Sequence, residues 1–363
     1  MPNADDTSSE TQLLAHLRER IRRDGPIRID QYMQACLEAY WQRGAAIGAA
    51  RDFITAPEIS QVFGELIGLW AAVVWESLGR PGVLRFVELG PGHGTLMRDA
   101  LRAVRLVPEF LRAISVHLVE VSAPLRQAQA KTLGWPDPTT AGPPIQWHRT
   151  LADIPPGPAI IIGNEFLDAL PVRQFVFGDG GWRERVVALT QSGALRFALG
   201  EETALADTPP PAAPGAILEL RPGEDALIAQ LAARGQPLVA LLIDYGPAEA
   251  GFGDTVQAVR RHAYAHVLDA PGTADLTAHV QFAGLAHKAR AAGLAADGPI
   301  TQAEFLGRLG IAERAAKLMA ANPARAGDIE TAVQRLMAPA AMGGLFKALL
   351  VRTPTLAPPP PFG

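Results

Sequence analysis

Cysteine is nearly missing from these 363 residues: Cys36 stands alone, which excludes an internal disulfide and a thiolate zinc site. A surplus of one charge is missing too. The formal net charge is −4 and the sequence pI is near 6.1, which argues against a nucleic-acid binder relying on a broadly basic surface. The most apolar segment, "LIGLWAAVVW" at 66 to 75, is too short to span a bilayer and reads as a buried helix, so no membrane insertion is expected. The opening "MPNADDTSSETQ" lacks both the apolar stretch of a signal peptide and the arginine-rich, acid-poor character of an organellar presequence. Together these absences predict a cytoplasmic protein. The histidines show no H-E-x-x-H or comparable spacing, so no metal is expected.

What is present is apolar material, 48% of the chain, enough for a sizeable core. Residues 1 to 10 read as a loose tail. Helical spacing then runs over 11 to 23, with Leu13, Leu14, Leu17 and Ile21 on one side, and again over 30 to 41. "PEISQVFGELIGLWAAVVWESLG" predicts one further helix, with Pro57 in its first turn and Gly79 as its C-cap. Buried strands follow at "VLRFVEL" (83 to 89), "ISVHLVE" (114 to 120), "PIQWHR", "PAIIIGNEF" (158 to 166) and "PLVALLIDYG" (237 to 246). Amphipathic helices alternate with the first of these. In "TLMRDALRAVRL", Leu96, Met97, Ala100, Leu101 and Val104 face inward and Arg98, Asp99, Arg102 and Arg105 outward. This alternation predicts an α/β fold with a doubly wound, parallel, Rossmann-like sheet. The "DGG" and "QSG" turns between 173 and 199 predict an inserted antiparallel meander. "PTLAPPPPFG" at the end holds neither helix nor central strand.

The chemistry concentrates in "FVELGPGHGT" (86 to 95). Gly90, Gly92 and Gly94 sit where a strand turns into a helix, and glycine there lets a ligand approach the main chain. About thirty residues on, the second strand ends at Glu120, placed to accept ribose hydroxyls. Strand, glycine turn, helix, strand, acid is a nucleoside-cofactor pattern. Glu88, just before the loop, is awkward beside a pyrophosphate but suits a ligand with an amino group and a sulfonium, which points to S-adenosyl-L-methionine. Further along, "GNEFLDALPVRQF" places Asn164 and Glu165 at the carboxyl end of the fourth strand and Asp168 three residues later. Asn164 is counted with the cofactor contacts. Glu165 and Asp168 are the catalytic candidates, because paired carboxylates can grip a cationic substrate or accept its proton. Asp244 and Tyr245 end the fifth strand at the same edge, either lining the site or simply closing the strand. His93 reads as packing, Thr55 as a helix cap, and Asp275 with His279 as a structural pair one helical turn apart.

The segments "DFITAPEISQVFGELIGLW", "VELGPGHGTLMRDALRA", "VHLVEVSAPLR", "NEFLDALPVRQF", "LLIDYG", "ADLTAHVQF", "EFLGRLGI" and "GGLFKALLV" together resemble the MidA-like S-adenosylmethionine-dependent methyltransferases. A mitochondrial relative in that family assists complex I assembly by methylating an arginine. The resemblance implies a seven-strand class I methyltransferase sheet with an added helical N-terminal region and an inserted cap. It gives a helical region over 1–80, a methyltransferase domain over 81–355 with an insertion around 172–222, and a proline-rich tail over 356–363. Cofactor contacts would fall on Gly90, Gly92, Gly94 and Glu120, with the "NEFLDALP" loop beside the methyl group. The implied partner is a protein substrate, in that family a complex I subunit, and arginine the favoured acceptor. The chain departs from the family at Arg51, usually glycine, and over "YWQRGAAIGAA" (40 to 50), in the region of the substrate cap. Two other functions compete with transfer. One is a cofactor-binding assembly factor without turnover; the other is an NAD-dependent oxidoreductase, disfavoured by the glycine spacing and by Glu88.

Overall fold

Ile160, Ile161 and Ile162 are buried in succession, so their strand, Ala159–Asn164, must be covered on both faces. The computed structural model describes residues 4–42, 54–134, 142–205, 209–235, 237–260 and 262–363, with side chains from residue 12 onward. The strand lies mid-sheet among seven, in the order Ala295–Thr301, Phe346–Arg352, Leu238–Tyr245, Ala159–Asn164, Leu84–Leu89, Ile114–Val119 and Ile145–His148. Phe346–Arg352 runs antiparallel to both neighbours, and every other pairing is parallel. The five strands read from the sequence are all present. Ala295–Thr301 and Phe346–Arg352 complete the seven-strand Rossmann-like sheet.

Side chains alternate between two cores along each strand, as a period of two demands. Phe86, Ile160, Ile162, Leu241 and Leu350 enter one, packed by the helices Gln61–Ser77 and Thr95–Ala103. Val87, Ile161, Leu242 and Leu349 enter the other, with Leu227 and Leu231 of Pro222–Ala233 and Leu285 of Phe282–Ala291. Chain order reverses between Leu84–Leu89 and Ala159–Asn164. That reversal opens the crevice in which such sheets bind ligands.

A third core holds Leu17, Tyr32, Met33 and Leu37 of the helices Ala4–Asp24 and Ile29–Gln42 against Val172, Val187, Leu268 and Leu276. The meander is there: Arg173–Gly178, Gly181–Leu189 and Leu195–Glu202 pair antiparallel, and Ile217–Leu220 and Ile27–Arg28 widen it. A second small sheet, Gln257–Arg260, Ala263–Ala265 and Asp275–Thr277, is inserted later. N-terminal helices and both inserted sheets therefore share one cap core.

Several local expectations need correction. The first helix already runs from Ala4, within the stretch read as a loose tail. The helix expected from Pro57 to Gly79 is two, Ala56–Ile59 and Gln61–Ser77, because Ser60 is extended (φ −151°, ψ 130°) and its side chain caps Val62 N–H at 3.3 Å. Asp99 faces inward; it is fully buried and held by Arg102 Nη1 at 2.7 Å and Arg98 Nε at 2.9 Å. Asp275 lies in a strand, so it does not share a helical turn with His279. Arg51 and most of the 40–50 stretch lie outside the described residues. The proline-rich end has no helix or strand and packs on the body, where Trp70 Nε1 donates to Pro360 O at 2.8 Å and Phe362 meets Phe305 at 5.9 Å. Among the described residues no helix is long and apolar enough to cross a membrane.

Candidate active site

The crevice at the switch point is a cavity of about 570 Å³. Its floor is the turn after Leu84–Leu89, where Gly90, Gly92 and Gly94 all have positive φ, at 60°, 54° and 81°. Only glycine takes three such positions in five residues without strain. A Cβ on Gly90 would stand 2.9 Å from the Phe166 ring, so this glycine also serves the close approach of the fourth-strand loop. Gly90 and Gly92 line the cavity. Gly94 does not; it caps the helix Thr95–Ala103 from the left-handed region.

Glu120 follows the second strand directly and lines the cavity with a buried carboxylate. Its Oε1 accepts from Ser122 N–H at 2.8 Å and its Oε2 from Gln129 Nε2 at 3.2 Å. Burial raises its pKa, opposed by those two donors. Glu88 reaches the same cavity from inside the sheet and is 3% exposed. Burial pushes it up to about 8, with the Met97 backbone N–H acting against this.

Glu165 and Asp168 line the far side, on the loop that leaves Ala159–Asn164. Glu165 is not glycine yet has φ 50°, a strained conformation that recurs where a side chain must be aimed. Its Oε1 accepts from Ala56 N–H at 2.8 Å and Asn164 Nδ2 at 3.1 Å. It thereby ties the start of Ala56–Ile59 to the crevice. Burial pushes Glu165 up to about 8, and the nearby Asp168 carboxylate adds to the rise. Burial pushes the Asp168 carboxyl up as well. Asp244 takes neither place in the lining. It is fully buried, and its Oδ2 accepts from the N–H groups of Phe166, Leu167 and Asp168 at 3.1, 2.8 and 3.2 Å, which fixes the loop's shape.

The sequence reading missed part of the wall. Arg149, Thr150 and Leu151 line it from the end of Ile145–His148. Tyr245, one of the two strand-end residues offered as lining the site, does line it, joined by Gln257 and Thr277, which the sequence did not mark: Tyr245 Oη donates to Thr277 Oγ1 at 2.6 Å and accepts from Gln257 Nε2 at 3.1 Å. Glu58 and His93 belong to it as well, with Thr95 Oγ1 donating to Glu58 at 2.6 Å and His93 Nδ1 3.9 Å away. Among the described residues no group of three or more His, Cys, Asp or Glu is placed to hold a metal ion.

The raised acids make stability depend on pH. Glu88 in the unfolded chain ionises near 4.5, while the fold keeps its proton up to about 8. Above 4.5 the unfolded state sheds a proton that the native state retains. Stability should therefore fall as pH rises through this window and level off beyond about 8. Glu88→Gln is expected to flatten the fall, read as urea midpoints across the window. A variant with the wild-type slope would place the proton elsewhere.

Two buried oxygens on residues that line this cavity, Glu88 Oε2 and Asn164 Oδ1, have no hydrogen-bond partner among the described residues. Unpaired acceptors are costly in a protein interior and call for a donor from a ligand. An ammonium group and a neighbouring sulfonium fit them, and Glu120 fits ribose hydroxyls. The residues thus suit an S-adenosyl group.

Comparison with known proteins agrees. Residues 66–300 match the family described as "Putative S-adenosyl-L-methionine-dependent methyltransferase". The mitochondrial protein arginine methyltransferase NDUFAF7 of Danio rerio is 35% identical over 368 residues, 94% of this chain and 87% of that protein. Its Homo sapiens counterpart is 36% identical over 376 residues, 93% of this chain and 82% of that protein. A COG1565 superfamily member from Burkholderia thailandensis, solved bound to S-adenosyl-homocysteine, superimposes with a TM-score of 0.83 at 28% identity, covering 97% of this chain and 94% of that one. The expectation of a cytoplasmic protein is overturned, since these NDUFAF7 relatives are named as mitochondrial. The cofactor is S-adenosyl-L-methionine, and the chain belongs to the S-adenosyl-L-methionine-dependent methyltransferase family.

Proposed function

We propose that the protein methylates an arginine side chain of a protein substrate, with Glu165 and Asp168 as the catalytic acids. The observation that carries this is the pair itself, two carboxylates lining one crevice beside the glycine turn and Glu120, both with pKa raised by burial. Such a pair is costly to ionise alone and is relieved by a cation between its members. Arginine stays protonated in proteins, so the acids must bind its guanidinium in a fixed plane and leave one nitrogen free to attack. Glu165 is held for this by Ala56 N–H and Asn164, and Asp168 by the loop that Asp244 shapes. Bound here, S-adenosyl-L-methionine supplies an electrophilic methyl group. Glu88, Gly90, Gly92, Glu120 and Asn164 would hold it, with Gly94 shaping the turn. Aligning the acceptor nitrogen with that methyl group and excluding water can lower the barrier by roughly 7–11 kcal/mol.

The names of the NDUFAF7 relatives support arginine as the acceptor, and the resemblance set out above supports a complex I subunit as the protein that carries it. Incubating the enzyme with methyl-labelled cofactor and a mitochondrial protein fraction tests the proposal. Label should enter protein, and cofactor binding without any transfer would leave only an assembly-factor role. Binding has its own expected result. S-adenosylhomocysteine at a hundred times its Kd should stabilise the fold by about 2.7 kcal/mol and raise Tm, whereas NAD should not. A response to NAD alone would contradict the cofactor reading of the glycine loop.

A further inference from the structure

Gln129 does not line the cavity, yet its amide joins two of the cavity's walls. It is fully buried on the helix Ala123–Leu133. Nε2 donates to Gly92 O at 2.8 Å and to Glu120 Oε2 at 3.2 Å, which uses both amide hydrogens. Oε1 accepts from Trp147 Nε1 at 2.9 Å, on the neighbouring strand Ile145–His148. Indole nitrogen can only donate, while the Gly92 carbonyl and the Glu120 carboxylate oxygen accept. Flipping the amide would therefore set oxygen against two oxygens and NH₂ against N–H. Three contacts would turn repulsive at once, so only one orientation is compatible with the site.

We propose that Gln129 is the positioning residue that sets the ribose selectivity of the cofactor site, with Trp147 fixing the amide's direction. The inference rests on Glu120 as the ribose contact. Ser122 N–H holds one Glu120 oxygen at 2.8 Å and Gln129 holds the other, so the carboxylate plane is locked before any ligand arrives. The same amide holds the carbonyl of Gly92, so the glycine turn and the ribose acid keep a fixed separation. Ser122, the cap of this helix, and Gly94, whose Cβ position lies 3.4 Å from Gln129 Cα, anchor the helix on both sides. A carboxylate locked in this way can accept both ribose hydroxyls without reorganising.

The test compares S-adenosylhomocysteine with its 2′-deoxy counterpart by calorimetry. Wild type should prefer the ribose form by about 10-fold or more, the scale of one hydrogen bond to a charged group. Gln129→Glu keeps the shape and the Trp147 bond but turns an oxygen on Gly92 O and Glu120, so the preference should fall to within about twofold of unity. Trp147→Phe leaves Gln129 Oε1 without its donor, loosens the amide's hold on Glu120 and should lower the preference about threefold; it decides the matter if Gln129→Glu does not fold. Equal weakening toward both ligands in either folded variant, with the preference intact, would mean that Gln129 serves only the fold and would overturn the inference. A wild type without preference would instead remove Glu120 as the ribose contact, and the inference with it.

Discussion

Glu165→Gln and Asp168→Asn are each expected to lose roughly 10²-fold or more in turnover while cofactor affinity stays within about 1 kcal/mol of wild type. The two effects should separate because, in the arrangement proposed above, the acids face the acceptor while Glu88 and Glu120 face the cofactor. Glutamine at 165 preserves the shape of the side chain and can still offer its oxygen to Ala56 N–H, now at 2.8 Å from Glu165 Oε1. The cap segment Ala56–Ile59 should therefore stay docked. What the amide lacks is the charge that holds a guanidinium and receives its proton as the new bond forms. Asparagine at 168 leaves the loop in place as well, since Asp244 holds that loop through three backbone N–H groups and not through the Asp168 side chain. Asp168→Asn should also lower the pKa of Glu165, because the neutral amide removes the like charge that helps to raise it. Full activity in both variants would withdraw these acids from the chemistry and favour a hydroxyl or carboxyl acceptor.

Gly92→Val should abolish the thermal response to S-adenosylhomocysteine. Gly92 sits at φ 54°, where a β-branched residue is an outlier, and its carbonyl is held by Gln129 at 2.8 Å, so the turn cannot easily rotate to relieve it. The misfit costs about 1–3 kcal/mol if the turn keeps its shape. If it does not, the turn moves into the ligand's place. Either way the branched side chain occupies space that the cofactor needs, because Gly92 is part of the cavity lining. The expected loss exceeds the roughly 2.7 kcal/mol of stabilisation that saturating ligand provides. Circular dichroism of the unliganded variant separates the two causes, since its fold should persist. An unchanged Tm shift would place the cofactor away from this turn.

The parts of the molecule legible in the sequence are those where one residue type answers one local demand. Three left-handed positions in five residues need glycine, and Gly90, Gly92 and Gly94 announce them. A strand covered on both faces needs unbroken apolar residues, and "AIII" supplies them. Polar side chains at and just beyond the carboxyl ends of such strands follow from the topology, which is why the acids Glu88, Glu120, Glu165 and Asp168 and the amide Asn164 all line one cavity. The rest depends on contacts distant in sequence. "FKALLVR" has no local mark of an antiparallel strand; it becomes one by filling the gap between Leu238–Tyr245 and Ala295–Thr301. Asp275 and Thr277 point to one side because their short strand pairs with Gln257 and Val259, and a spacing of four to His279 imitates a helix. Ser60 breaks an apolar helical pattern through its own side chain, a capping role that a periodicity count does not register. Gln129 carries no local mark in the sequence, since its three partners lie on three other segments.

Peptide mapping of the methylated acceptor by mass spectrometry tests the central claim most directly. The acceptor would be recovered after incubation with wild type and, in parallel, with Glu165→Gln. One methyl unit is expected on an arginine nitrogen, stable to mild base, present with wild type and nearly missing with the variant. Methyl groups on a carboxyl or hydroxyl oxygen, or on lysine, or in equal amount with the variant, would contradict it.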